Sequence, residues 1–235
     1  MKLLKGYWQE IALYETVRMV GIPNYVRLKN RLSGFRFFHP GFVKTKTIFI
    51  HVPKAAGSSI GTTLYDSPST GHFEWEYYAA EDREKFDDFF KFTFVREPVD
   101  RFLSAYNYLL SGGRSAHDTV IGEKIATFGD VEAFIRDGLE QKGFLKLRHL
   151  RPQSGYIFDA QDRQMVDFIG RVETMGEDTA DLSRQIGIEV NPGRTNTTKK
   201  KLVAAADLSN EALHTLSRLY ERDFRLLGYP KLSDS

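Results

Sequence analysis

The sequence predicts an α/β domain with a central, mostly parallel sheet flanked by helices. Three observations lead there. Short apolar runs rich in β-branched and aromatic residues recur at 47–52, 91–95 and 165–169. Each run is followed by a helical pattern, the alternation that builds parallel sheets. The composition, 41% hydrophobic and 27% charged over 235 residues with no Cys, suits a self-sufficient core and excludes a disulfide scaffold, a thiolate metal site and general disorder.

Residues 1–43 form a polar-aromatic lead-in. Trp8, Ile11, Ala12 and Val20 hint at an amphipathic helix, and 34–41 reads as a loop. Gln9 and Glu10 interrupt any signal-peptide core, and no run of ~18 apolar residues follows, so the expectation is a soluble, cytoplasmic chain without a transmembrane segment. Thr47-Ile-Phe-Ile-His-Val52 is the first strand, Pro53-Lys-Ala-Ala-Gly-Ser-Ser59 the turn after it, and 60–65 a helix. Lys91-Phe-Thr-Phe-Val95 is the second strand. Pro98 suits the first position of a helix, and Val99, Phe102, Leu103, Tyr106 and Leu110 repeat at 3.6-residue spacing, which predicts a helix over 98–110. A third strand is expected at 165–169 and a helix at 173–186. Ser209 can cap a last helix carrying Leu213, Leu216, Tyr220, Phe224 and Leu227, stopped by Gly228 and Pro230. Residues 44–230 read as a single α/β domain and 231–235 as a tail.

Ligands of parallel sheets sit beyond the carboxyl ends of the strands, where the turns after Val52 and Val95 are expected. The first turn has the chemistry of an anion cradle. Small residues let backbone N–H groups close around a phosphate at a helix start. Lys54 adds a positive charge, and Ser58 and Ser59 add hydroxyls. It is not the ATP/GTP loop, because no Gly-Lys-Ser/Thr triplet occurs. The plain alternative is a tight turn with a chance Lys. The second turn carries Arg96, whose planar fork suits a phosphate, and Ser104 on the following helix can complete the cage. The alternative here is a surface Arg and a solvent-facing Ser. A net charge of +2 favours a local anion site over nucleic-acid binding.

Pro53-Lys54-Ala55-Ala56-Gly57-Ser58-Ser59 and Arg96-Glu97-Pro98-Val-Asp-Arg101-Phe-Leu-Ser104 together resemble the sulfotransferases that use 3′-phosphoadenosine 5′-phosphosulfate (PAPS), most closely the carbohydrate branch related to heparan sulfate 2-O-sulfotransferase and its bacterial relatives. The resemblance runs from about Lys44 to Pro230 and takes in Gly71-His72, Leu150-Arg-Pro-Gln153, Val166–Glu173, Asn196-Thr-Thr-Lys199 and the ending Tyr220–Tyr229. It implies a P-loop-like three-layer fold. It implies that Lys54, Ala55, Ala56, Gly57, Ser58 and Ser59 hold the 5′-phosphosulfate, with Lys54 on the leaving oxygen. It implies that Arg96 and Ser104, joined by Asn196 and Lys199, hold the 3′-phosphate, and that His72 is the base. No metal is expected, and the acceptor is expected to be a glycan hydroxyl. Glu74, Glu76 and His149 stay open as rival bases, Arg148 and Arg151 as contacts to an anionic glycan, and 110–150 as an acceptor wall or lid. The lead-in could serve as the arm of a homodimer. Two other functional classes also stay open. One is a non-catalytic binder of phosphonucleotides or sulfated glycans; the other is a nucleotide-dependent kinase on a P-loop-like fold.

Overall fold

This computed structural model describes residues 5–191, 193 and 202–230. In chain order the elements are α1 (Lys5–Val20), α2 (Ile22–Ser33), α3 (Pro40–Thr45), β1 (Thr47–Phe49), α4 (Gly57–Tyr65), α5 (Trp75–Glu81), α6 (Arg83–Asp88), β2 (Phe90–Val95), α7 (Pro98–Leu110), α8 (Ala116–Ala126), α9 (Val131–Ala133, running into a π turn at Phe134–Leu139), α10 (Ser154–Ile157), β3 (Phe168–Arg171), α11 (Met175–Ile186), α12 (Asn210–Leu219) and α13 (Glu221–Leu227). By Cα packing the chain divides into two units. One is Val17–Arg96 with Gly155–Asn196, and the other is Met1–Thr16 with Glu97–Ser154 and Thr197–Ser235.

The first unit holds the sheet, parallel throughout in the order β1-β2-β3, so the α/β reading stands. Phe49 pairs with Phe92 and their rings stack at 5.0 Å, a cross-strand aromatic contact at the centre of the core. Phe94 pairs with Gly170, where a Cβ would come within 2.4 Å of the Phe94 ring; the glycine makes room for the aromatic. β1 is shorter than the apolar run 47–52. Ile50 N–H still donates to Phe92 O at 2.9 Å, but the Ile50 carbonyl accepts the buried Thr93 hydroxyl at 2.7 Å and the nearby amide of Val52 at 3.1 Å, and the ladder stops there. β3 lies a few residues beyond the expected 165–169. Met165 N–H is spent on Ile157 O, and the Asp167 carboxylate accepts the amide of Lys91, so pairing starts at Phe168. The helix after the first turn opens at Gly57, three residues ahead of expectation, and the loop before α3 is correspondingly shorter than 34–41.

The second unit is helical among the described residues. Glu97 caps α7 by accepting Asp100 N–H at 2.7 Å, with Pro98 in the first turn, so this helix takes the expected bounds. The C-terminal helix breaks in two at Tyr220, whose hydroxyl donates to Leu150 O at 2.6 Å; Ser209 caps α12 as expected. In α1 the buried residues are Tyr7 and Ile11 in this unit and Val17 in the other. Trp8 and Val20, read as part of an apolar stripe, are exposed. They sit on the helix face that packing leaves out.

A polar core braces this unit. Arg101 is fully buried. Its guanidinium donates to the carbonyls of His149 (2.9 Å) and Leu150 (3.4 Å) and lies over the Tyr220 ring. Asp223 accepts the amides of Gln153 and Ser154 at 2.8 and 2.7 Å. Asp118 accepts from His149, Ser115 and Tyr108. Burial works against its ionisation, but those hydrogen bonds prevail and hold its carboxyl far below the usual range. The same contact and burial push the Tyr108 phenol up to about 12. A depressed carboxyl stabilises the fold above its unfolded pKa of ~3.9 and loses that contribution as pH falls toward its folded value. Asp118→Asn is expected to cost about 1–3 kcal/mol at pH 7. The deficit should shrink in thermal melts taken below pH ~4.

Candidate active site

Parallel pairing of β1 with β2 releases both following turns at one sheet edge. After β1 the chain enters residues 50–56 and then α4. Two non-glycine residues in this loop, Lys54 (φ 69°) and Ala56 (φ 60°), adopt left-handed backbone conformations. Each costs roughly 1–2 kcal/mol, so the loop geometry is imposed by the fold. Left-handed residues recurring in a tight turn can point successive N–H groups to one side, a nest suited to anions. Ala56 is the N-cap of α4, and the N–H groups of that first turn add the positive end of the helix. Ser58 and Ser59 are half-buried. Their carbonyls take the hydroxyls of Thr62 and Thr63 at 2.8 and 3.0 Å, and their own hydroxyls have no hydrogen bond among the described residues. Lys54 is half-buried within the same turn.

Gly57 is required by space. A Cβ there would lie 2.0 Å from the His51 ring, so the start of α4 rests directly on that imidazole. His51 is buried, stacked on Phe49 at 5.2 Å and tilted against His72 at 4.1 Å. His72 Nδ1 lies 3.0 Å from the carbonyl oxygen of His51. A carbonyl can only accept, so Nδ1 carries the proton in the neutral ring and Nε2 keeps its lone pair. Gly71, at φ +83°, sets this turn, and any Cβ there would strike the Phe73 ring at 2.4 Å. The expected base thus sits against the start of the phosphate loop.

The rival bases are engaged elsewhere. Glu74 is buried and bound by the Arg18 guanidinium at 3.0 Å; Glu76 meets the same guanidinium at 3.3 Å. Burial raises the Glu76 carboxyl, and Arg18 only partly offsets it. His149 is buried in the other unit, its Nε2 3.2 Å from Asp118. In that unit Arg148 lies 3.7 Å from the Glu10 carboxylate and Arg151 covers the Tyr14 ring.

Arg96 directly follows β2, at the carboxyl edge shared with the Lys54 loop. Ser104 lies on α7, half-buried, in the helical unit. Asn196 and Lys199 lie outside the described residues; Asn191, just before them, accepts the Thr63 hydroxyl of α4 at 3.3 Å. The sequence did not disclose the role of Arg101. It stands within the second motif and is wholly buried on backbone carbonyls. The available signal was its position one turn inside an apolar helix face, between Val99 and Phe102. The link from Gly57 through His51 to His72 was also missed. No spacing rule announces it.

These features define an α/β protein with a strand–loop–helix turn and an adjacent strand end whose geometry suits anionic groups. Residues 43–230 match the protein family described as the sulfotransferase family, and the chain belongs to it. It is 30% identical over 196 residues to carbohydrate sulfotransferase 12 of Xenopus laevis, an alignment covering 68% of this chain and 46% of that protein. The chain therefore spans about half the length of that relative. No solved structure gives a significant match. Among the described residues, no helix is long and apolar enough to cross a membrane.

Gly57→Ala is expected to displace the His51 ring and, with it, His72. The fold should survive, with unchanged far-UV circular dichroism, while the imidazole signals of both histidines shift in NMR spectra.

Proposed function

We propose that the chain transfers a sulfuryl group from PAPS to a hydroxyl of a carbohydrate. The observation that carries this reading is the β1–β2 register, which brings the Lys54 loop and Arg96 to one sheet edge. Family membership supports sulfuryl transfer, and the amphibian relative's name supports a carbohydrate acceptor.

The residues present fit such a donor. The left-handed loop, the first turn of α4 and the hydroxyls of Ser58 and Ser59 suit its 5′ end, and the Arg96 fork suits a second phosphate. The roles of Ser104, Asn196 and Lys199 at the 3′-phosphate rest on the sequence motif. The donor supplies an activated sulfuryl group on a mixed anhydride, and the leaving product is 3′-phosphoadenosine 5′-phosphate. Lys54 stabilises negative charge growing on the leaving oxygen, a preorganised electrostatic contribution. His72 Nε2 takes the acceptor hydroxyl proton as the new O–S bond forms and the old one breaks. The His51 carbonyl holds the imidazole in the tautomer this requires.

Calorimetric titration should show 3′-phosphoadenosine 5′-phosphate binding far more tightly than AMP, and Arg96→Ala should erase most of that preference. Equal affinity for the two nucleotides would remove the donor assignment. Lys54→Ala is expected to lower turnover ~10²–10³-fold. His72→Ala should lower it ~10²–10⁴-fold while leaving nucleotide affinity unchanged. Full turnover in His72→Ala with loss in Glu74→Ala would move the base to the carboxylate.

A further inference from the structure

The stretch from the end of α1 through α3 stands apart from the rest of the chain in charge. Between Glu15 and Asp66 the sequence has no Asp or Glu and eight Lys and Arg, whereas the whole chain is only +2, so the remainder is net acidic. The same stretch carries most of the exposed apolar bulk. Of the nine large hydrophobic side chains exposed among the described residues, six are Met19, Val20, Leu28, Leu32, Phe35 and Val43, all in the sheet-bearing unit. Met19 and Leu32 are the most open, at 84% and 75%.

Helix α2 shows how the two features combine. Ile22 and Val26 are buried, and the helix packs on α5, with the Tyr25 and Tyr77 rings 6.2 Å apart. By helical period Leu28 and Leu32 share a row one turn apart on the side away from that contact. Arg27 and Arg31 form the neighbouring row. Lys29 flanks the leucines on the other side, its Nζ 5.7 Å from the centre of the Phe35 ring. Among the described residues these cations have few partners. Arg27 meets only the Asn24 amide oxygen, at 3.5 Å, Arg36 only the carbonyl of Phe35, at 3.2 Å, and Arg31 makes no hydrogen bond or ion pair. The carboxylates of α5 are engaged. Glu74 and Glu76 hold Arg18, and Glu81 accepts Asn30 Nδ2 and the amides of Phe37 and Phe38.

Exposed leucines flanked by unpaired cations need a partner that is apolar and anionic at once. A soluble polyanion satisfies the arginines and leaves the leucines in water. A second copy of this face covers the leucines and sets each arginine row against its own mate. An anionic bilayer supplies both parts: headgroup phosphates take the cations, and the aliphatic chains enter the acyl boundary. We infer that α2 docks the chain on an anionic membrane surface, with Leu28 and Leu32 entering the leaflet and Arg27, Lys29, Arg31 and Arg36 meeting its headgroups. With 12 residues and charge on both flanks, α2 lies along the interface and does not cross the bilayer. All of these residues precede residue 43, where the family match begins. The surface uses neither the Lys54 loop nor His72, so it is independent of the proposed transfer.

The test is cosedimentation of the whole chain with vesicles at low ionic strength. One set is phosphatidylcholine alone; the other is equal parts phosphatidylcholine and phosphatidylglycerol. Partitioning onto the mixed vesicles should exceed that onto phosphatidylcholine about tenfold or more and weaken as salt is added. Leu28→Gln/Leu32→Gln keeps the charge and helix propensity of α2 and should lower partitioning onto the mixed vesicles about tenfold. Arg27→Gln/Arg31→Gln should lower it by a similar factor. Both variants should melt at the parent temperature, because all four side chains are exposed. Equal partitioning onto the two vesicle sets, or unchanged partitioning in the leucine variant, would overturn the inference. So would a chain that ignores vesicles and sediments as a dimer that the leucine variant dissociates, since the face would then belong to a second copy.

Discussion

Two neighbouring strands that run the same way must release their following turns on the same side, and the site depends on this. Phe49 lies opposite Phe92, so the five residues to Lys54 and the four to Arg96 leave the sheet in step. The stacked rings of that pair fix the register. A one-residue slip of either strand would turn its side chains to the opposite face and part the two turns as well. Hydrophobic packing at the centre of the sheet thus decides where two cations meet solvent.

Around that edge, function is built mostly from backbone. The loop reaches its shape with two left-handed non-glycine residues, a cost met by the surrounding packing and suited to the anion site proposed for it. The one glycine that matters for contact, Gly57, is there to let α4 touch a histidine. That histidine orients a second through its carbonyl. The Lys54 loop and His72 are therefore parts of one packed object.

Much of this was legible in the sequence, for identifiable reasons. Strand β2 and helix α7 announce themselves through a continuous aromatic run, a Pro at the first helical position and a clean 3.6-residue period, and both formed as expected. Strands β1 and β3 were placed less well because their ends are set by partners remote in sequence. The Thr93 hydroxyl and the Val52 amide take the carbonyl that would have extended β1, and Ile157 takes the amide that would have started β3 early. The lead-in was least legible. Its helices are amphipathic, but α1 turns its Trp outward and α2 lines one side with arginine, so a search for apolar stripes misjudges which residues pack. The turn at Pro53–Ser59 was readable because its small residues and Lys are local. The link from Gly57 to His72 was not, because it is a packing contact across two turns.

The buried Arg101 has a consequence for how such motifs are interpreted. Five positions after an arginine at the sheet edge stands another that never meets water, holding two carbonyls and an aromatic face. A signature written as letters scores the two alike. Across a library of variants they would part company: on the donor-binding role proposed for Arg96, losses at the first would appear as well-expressed but idle protein, and losses at the second as vanished protein.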